Sequence, residues 1–299
     1  MPSKFKIHSA LLIVGLIYGA NYSIAKVLMP QYIGPFGIIF IRVIIGTALY
    51  WGIDFLYGPE KIKYKRDYLQ FALLAIFGVA INQLMFFKGL SMTTPISASV
   101  IMTSSPITVL IVSYFLLKER ITVNKLIGIA FGATGAVLLI GIDGFEISND
   151  TFIGNLFILI NAVSFSIYLV LVKPMMFRYK AITVIKWVFL FGMFMVIPFG
   201  YKEFMLVEWA SLPNEAWLSL GYIIIGTTFI AYLLNTWALQ YVNPSLVGYY
   251  IYLQPVFSTL VAVSFRGDKL TLTEALYSLL IFAGVYLVSV KKTKMASVK

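Results

Sequence analysis

The chain of 299 residues has no cysteine, a single histidine and only 12 acidic residues. Each shortage removes a class of function. Without cysteine there is no disulfide framework, no thiolate nucleophile and no cysteine-based metal site. The one histidine, His8, stands at the extreme N-terminus, a poor place for catalysis, and no metal or other cofactor is expected. No Gly-rich phosphate-binding loop appears, so direct drive by ATP is not supported. Charged residues make up 12% of the chain and leave no stretch that reads as a soluble domain.

What is present is apolar surface: 60% of the residues are hydrophobic and the mean hydropathy is +0.91, far outside the soluble-globular range. A net charge of +11 would by itself suggest nucleic acid. The basic residues lie in short segments between apolar runs, however, which is the pattern of a membrane protein and not of a nucleic-acid surface. Crossing a hydrocarbon core of ~30 Å takes roughly 20 residues. Ten runs fit, at about 9–29, 35–56, 68–90, 95–117, 124–142, 152–172, 183–199, 217–239, 245–265 and 272–290. The first follows Lys4 and Lys6 but outruns a signal-peptide core and lacks a convincing small-residue cleavage site, so it is read as a span. The longest link, about 200–216, is amphipathic, with Trp209 and Trp217 as interface anchors.

Orientation follows from the basic residues on alternate loops. With the N-terminus inside, the cytoplasmic side collects Lys4, Lys6, the cluster Lys61 to Arg66, Lys118, Arg120, Lys125, the group Lys173 to Lys186, and the tail lysines. Few remain for the other side, so both termini are expected in the cytoplasm and the protein in the inner membrane as a multi-pass chain. Its expected partners are the lipid bilayer and a small-molecule substrate, with monomer and homodimer both open.

The chain also repeats itself. Ser91-Met-Thr-Thr-Pro95, Pro106 and the Glu119-Arg120 pair recur without a gap as Gln240-Tyr-Val-Asn-Pro244, Pro255 and Asp268-Lys269, an offset of 149 positions that also carries Gly135 onto Gly284. The reading is a duplication, with one five-helix repeat at 9–142, a second at 152–290 and a basic tail at 291–299. An odd number of spans per repeat forces the second to enter the membrane upside down, the inverted arrangement that lets one half rock against the other around a midplane site. The fold class is therefore all-α, with ten transmembrane helices.

Tyr18-Gly-Ala-Asn-Tyr22, Phe40-Ile-Arg42, Phe87-Lys-Gly-Leu90, Thr236-Trp-Ala-Leu239 and the stretches Pro106 to Glu119 and Pro255 to Asp268 resemble motifs of the drug/metabolite transporter superfamily, in its ten-helix branch with two EamA-type repeats. The resemblance covers about 9–290 and departs from the pattern where Tyr18 stands for Trp, Lys118 for Gly and Asp268 for Glu. It implies export of small metabolites, amino acids or drugs by alternating access. It also implies a cavity lined by spans one, three, four, six, eight and nine, with the last helix of each repeat at the periphery.

Polar side chains at mid-membrane are expensive and are functional candidates by default. In the first repeat these are Asn21, Asn82, Gln83, Thr103 and Ser104; in the second, Asn161, Thr227, Thr228, Asn235, Tyr249, Tyr252 and Gln254. Asn82 and Gln83 either face a cavity or bond a neighbouring helix. Tyr249 and Tyr252 need partners for their hydroxyls, although adjacent side chains diverge on a helix and not all tyrosines of that cluster can share one cavity. Pro106 and Pro255 bend their spans, as paired gates or as fixed kinks, and Glu119 and Asp268 at helix ends are gate-stabilising or structural. Gly15-x-x-x-Gly19 and Gly128-x-x-x-Gly132 allow close packing. Arg42, about two turns from the outer end of span two, is read as a structural residue that snorkels outward. Apart from Asp54 no span holds a carboxylate, which argues against a cation exchanger. The expected activity is secondary transport of a neutral, zwitterionic or anionic amino-acid-like metabolite. A passive channel is the alternative; an intramembrane enzyme would need a nucleophile, base or metal that the spans do not supply.

Overall fold

The computed structural model describes residues 2–140, 149–266 and 272–289, and among these the chain is helical throughout, with no strand. Among the described residues six helices are long and apolar enough to cross a membrane. We label the helices α1 (Lys4–Leu28), α2 (Pro35–Tyr57), α3 (Arg66–Met92), α4 (Pro95–Met102), α5 (Ser105–Leu117), α6 (Val123–Ile140), α7 (Asn149–Val172), α8 (Ala181–Met205), α9 (Asn214–Leu239), α10 (Pro244–Tyr249), α11 (Leu253–Arg266) and α12 (Leu272–Ser289).

The packing follows the duplication. Helix α2 lies along α8 and α6 along α12; α1 packs on α9 and α11, and in the other half α7 packs on α3 and α5. Moving each helix to its counterpart in the other repeat reproduces the same set of neighbours, the signature of a pseudo-twofold axis. Small residues permit the closest of these contacts. A Cβ on Gly284 would stand 2.7 Å from Gly128 O, and one on Gly19 would stand 2.8 Å from Gln254 O, so both small-residue motifs serve helix approach.

Each repeat carries the same two irregularities. Its third helix widens into a π-helical segment, Ile76–Ala80 in α3 and Tyr222–Ala231 in α9. The run expected to be its fourth span is broken rather than merely bent. Helix α4 stops at Met102, Ser104 N–H donates to Ile101 O at 3.0 Å, and α5 starts with Pro106 in its first turn. In the second repeat α10 passes through a 3₁₀ turn, Tyr250–Tyr252, before α11 begins just ahead of Pro255. A proline ring clashes with the carbonyl four residues back and supplies no N–H, so the ladder fails one turn before each proline, while the first turn of the next helix tolerates it.

Lysines close the third helices. Lys26, in the last turn of α1, reaches Ser91 O of α3 at 3.4 Å, and Lys173, just after α7, reaches Leu239 O and Val242 O at 2.5 and 2.9 Å. A cation on orphan C-terminal carbonyls complements the helix dipole. Two boundaries differ from the sequence reading. Helix α8 extends to Met205 through Pro198, which leaves a shorter link, and the Trp209 ring in that link stands 5.8 Å from the Trp217 ring of α9. Lys186, counted above with the cytoplasmic loop, lies within α8 and is 3% exposed because Asp54 of α2 receives it.

Candidate functional site

A cavity of about 60 Å³ sits between the two repeats. From the first repeat it receives Tyr18, Asn21 and Tyr22 of α1, Arg42 of α2, Asn82, Gln83 and Phe86 of α3 and Met102 of α4; from the second, Asn161 and Phe165 of α7, Thr227 and Tyr232 of α9 and Gln254 of α11. Its volume accommodates only a few waters. The conformer is thus a compact one, and a metabolite enters only if the helices part or the lining side chains move.

Hydrogen bonds across the repeats knit the walls. Gln83 Nε2 donates to Tyr232 OH, and that hydroxyl stands 3.0 Å from Gly78 O and 3.1 Å from Asn82 Oδ1. Gln83 and Tyr232 are equivalent positions of the two repeats, 149 apart, so this bond sits at the pseudo-twofold axis. Asn161 Nδ2 donates to Asn82 O at 2.6 Å, and Tyr22 OH donates to Gln254 Oε1 at 2.9 Å. The side-chain oxygens of Asn21 and Asn161 are buried without a partner.

Among the described residues Arg42 is the only charged one in the lining. The expectation that it snorkels to the outer face is corrected: it is 3% exposed and turns inward. Its Nε donates to Thr228 Oγ1 at 2.8 Å and its Nη2 to Thr227 Oγ1 at 3.4 Å, while the Phe87 ring lies 5.0 Å from the guanidinium carbon. The π segment explains how adjacent threonines serve one guanidinium. Both hydroxyls donate to Ile223 O, four and five residues back, at 2.6 and 2.8 Å, which turns their lone pairs toward Arg42. Tyr50 OH contacts Thr228 O and, at 3.1 Å, Phe229 O, and so fixes that segment to α2.

The sequence candidates divide. Asn21, Asn82, Gln83 and Gln254 line the cavity together. Asn235 lies in a smaller adjoining void, which Gln254 and Tyr250 share. Thr103 and Ser104 stand at the break between α4 and α5 and not in the lining, and Ser104 Oγ has no partner. Tyr249 and Tyr252 are fully buried with unpartnered hydroxyls; the Tyr252 ring rests on Gly132. Their places show why mid-depth alone misleads. A helix of 3.6 residues per turn presents only one stripe to a central cavity, and Gln254 takes it. Sequence reasoning passed over Tyr18, Tyr22 and Tyr232, since tyrosine is ordinary in a membrane chain; the flanks of Asn21 were the available signal.

At the periphery Glu119 accepts from Lys125 Nζ at 2.5 Å, Ser245 Oγ at 2.8 Å and Asn243 Nδ2 at 3.2 Å, clasping the end of α5 to the start of α10. Lys118 beside it has φ of 53°, the left-handed conformation that glycine adopts without cost. Asp268 lies outside the described residues. Among the described residues no cluster of His, Asp and Glu could hold a metal.

The EamA-like transporter family model matches the chain twice, at residues 5–141 and 152–290. An uncharacterized transporter of Archaeoglobus fulgidus is 25% identical over 288 residues, 96% of this chain and 98% of that protein. The uncharacterized transporter YyaM of Bacillus subtilis is 22% identical over 282 residues, 93% of this chain and 92% of that one. A WAT1-related protein of Arabidopsis thaliana is 26% identical, over 90% of this chain and 75% of its own length. One solved crystal structure superposes with a TM-score of 0.75 at 21% identity, covering 94% of this chain and 96% of that one, which makes the fold a known one. With two family matches that leave only the ends and one short link uncovered, the chain belongs to the EamA-like transporter family of the drug/metabolite transporter superfamily.

Proposed function

We propose that the protein is a secondary transporter of the inner membrane that exports a small amino-acid-like metabolite by alternating access. Ten spans form two five-helix repeats of opposite orientation, with both termini in the cytoplasm. The substrate is neutral, zwitterionic or anionic, and no nucleotide, metal or other cofactor takes part. The observation that carries this reading is the cavity itself: it lies between the repeats, sets polar side chains of both into a mainly apolar wall, is bonded across them, and among the described residues holds one buried cation and no carboxylate. A solute there is reached from either side by rocking one repeat against the other. The small volume of the cavity, about 60 Å³, argues against an open pore.

Proteoliposomes preloaded with cell extract provide the test. Counterflow that saturates with solute concentration is the expected result, and flux that rises linearly without saturation would identify a passive channel instead. Reversal of the assigned orientation by protease protection of the tail would overturn the cytoplasmic placement of the termini.

A further inference from the structure

Three strongly buried cations belong to the described helices and their ends, and they are treated differently. Lys186 has a carboxylate, Asp54. Lys173 has the carbonyls of Leu239, the last residue of α9, and of Val242 just beyond it. Arg42 has two neutral hydroxyls and a ring face, with no carboxylate of the described residues on it. A guanidinium taken out of water without a counter-charge is costly, and the chain has paired its other mid-helix cation. Among the buried cations that lie within the described helices, Lys186 and Arg42, the omission is therefore at the cavity.

We propose that Arg42 is the anion-binding group of the cavity and that the substrate is a zwitterion, its carboxylate on Arg42 and its ammonium on the side-chain oxygens of Asn21 and Asn161. This rests on the transport reading above and names its substrate class. The guanidinium is held in advance: Thr227 and Thr228 orient its Nε and Nη2, the Phe87 face backs it, and Nη1 makes no hydrogen bond to the described residues. A pre-set guanidinium fork suits a planar carboxylate. A phosphate would bring a second negative charge that the lining does not match, since Arg42 is its only charged member among the described residues. The amide oxygens supply the second half. Asn21 and Asn161 come from the first helix of each repeat, line the same cavity, are 4% and 2% exposed, and leave Oδ1 without a donor. A buried acceptor with no donor is a costly omission that an incoming N–H group repairs. The remaining walls, with Phe86, Met102 and Phe165, are apolar and suit a hydrocarbon or aromatic side chain.

The test uses the purified full-length protein in detergent and a matched series of probes. L-leucine and L-phenylalanine are compared with their amides, with the corresponding amines, and with 4-methylpentanoate and 3-phenylpropanoate, scoring protection against thermal unfolding. The amino acids should protect most, the deaminated acids less, and the amides and amines not at all. Arg42→Gln should weaken amino-acid binding on the order of 30-fold or more, the usual consequence of deleting one partner of a desolvated charge pair. Arg42→Lys, which keeps the charge, should retain part of it and guards against a folding defect in the first variant. Replacing Asn21 and Asn161 together by Leu should erase the advantage of amino acids over deaminated acids while leaving the acids bound. Amides or amines that protect as well as amino acids would overturn the proposal, as would unchanged binding by Arg42→Gln or protection by no carboxylate at all. If wild-type proteoliposomes still show saturable counterflow in that case, the transport reading stands and only the substrate assignment falls.

Discussion

The pair formed by α2 and α8 is fastened at both ends, and the two fastenings use different physics at equivalent positions. At the end of α2, Asp54 meets Lys186 near the start of α8; both are 3% exposed, and the ammonium also lies 4.8 Å from the Trp51 ring. At the end of α8, Glu203, which the 149-residue offset equates with Asp54, accepts the N–H groups of Phe36 and Gly37 at 2.7 and 2.9 Å. The repeat of Lys186 is Gly37, so where one end has a cation the other has the open N-terminus of a helix. A helix N-terminus offers unpaired donors and a partial positive charge of about one half, which receives a carboxylate without a second ion. It demands close backbone approach instead: a Cβ on Gly34 would stand 2.3 Å from Glu203 Oε2, and one on Gly200 would stand 2.5 Å from Phe36 O. Duplication thus conserved the task, carboxylate of one helix to the start of the other, while the partner changed from a side chain to the backbone.

The sharpest way to break the symmetry is at the buried pair. Asp54→Asn or Lys186→Met strands one charge among apolar helices and should lower stability by about 3–5 kcal/mol, read as reduced detergent-stable protein and a lower Tm. The double replacement Asp54→Leu with Lys186→Met should recover most of that, because two apolar residues leave nothing unpaired. If the double variant is stable but has lost transport, Asp54 takes part in coupling and the pair is more than a fastening. A smaller loss is expected where no second ion is involved. Glu203→Gln keeps an acceptor at the α2 N-terminus and should cost about 1–2 kcal/mol. Gly200→Ala drives a methyl into the Phe36 carbonyl and should cost about 1–3 kcal/mol, whereas Gly52→Ala, with nothing within 4 Å, should leave the Tm unchanged or slightly raised. The smallest effect, and of opposite sign, belongs to Lys118→Gly beside the Glu119 clasp. Relieving a left-handed lysine should gain up to about 1 kcal/mol without touching either fastening.

Much of this architecture was written in one dimension. The offset that joins Pro95 to Pro244 and Pro106 to Pro255 located the two broken spans, because a proline's missing donor acts locally whatever surrounds it. The six long apolar helices were equally plain from apolar runs, whereas the runs at 95–117 and 245–265, read as single helices, are each divided in two. What escaped was direction around the helix axis. Asn21 and Gln254 face the centre, but Tyr249 and Tyr252 do not, since a near-uniform apolar helix carries little periodicity to tell a lipid face from a packed one. Arg42 was misplaced for a related reason. Its depth permitted an escape to the surface, and only the paired threonines on a π segment of another helix, some 185 residues away, turn it inward. Lys186 likewise joined the loop residues in the sequence because its partner Asp54 lies 132 positions away.

The bond between Gln83 and Tyr232 has a further meaning if the two repeats exchange shapes during transport. Contacts away from the axis, such as the Glu119 clasp, exist in one form on one face and must be traded for their counterparts when the protein turns. A bond between equivalent positions is carried onto itself by that exchange. It belongs to the inward-facing and outward-facing forms alike, and so contributes nothing to the difference between them. It acts as an axle: losing it would loosen the machine in every state while leaving the balance between its two faces where it was.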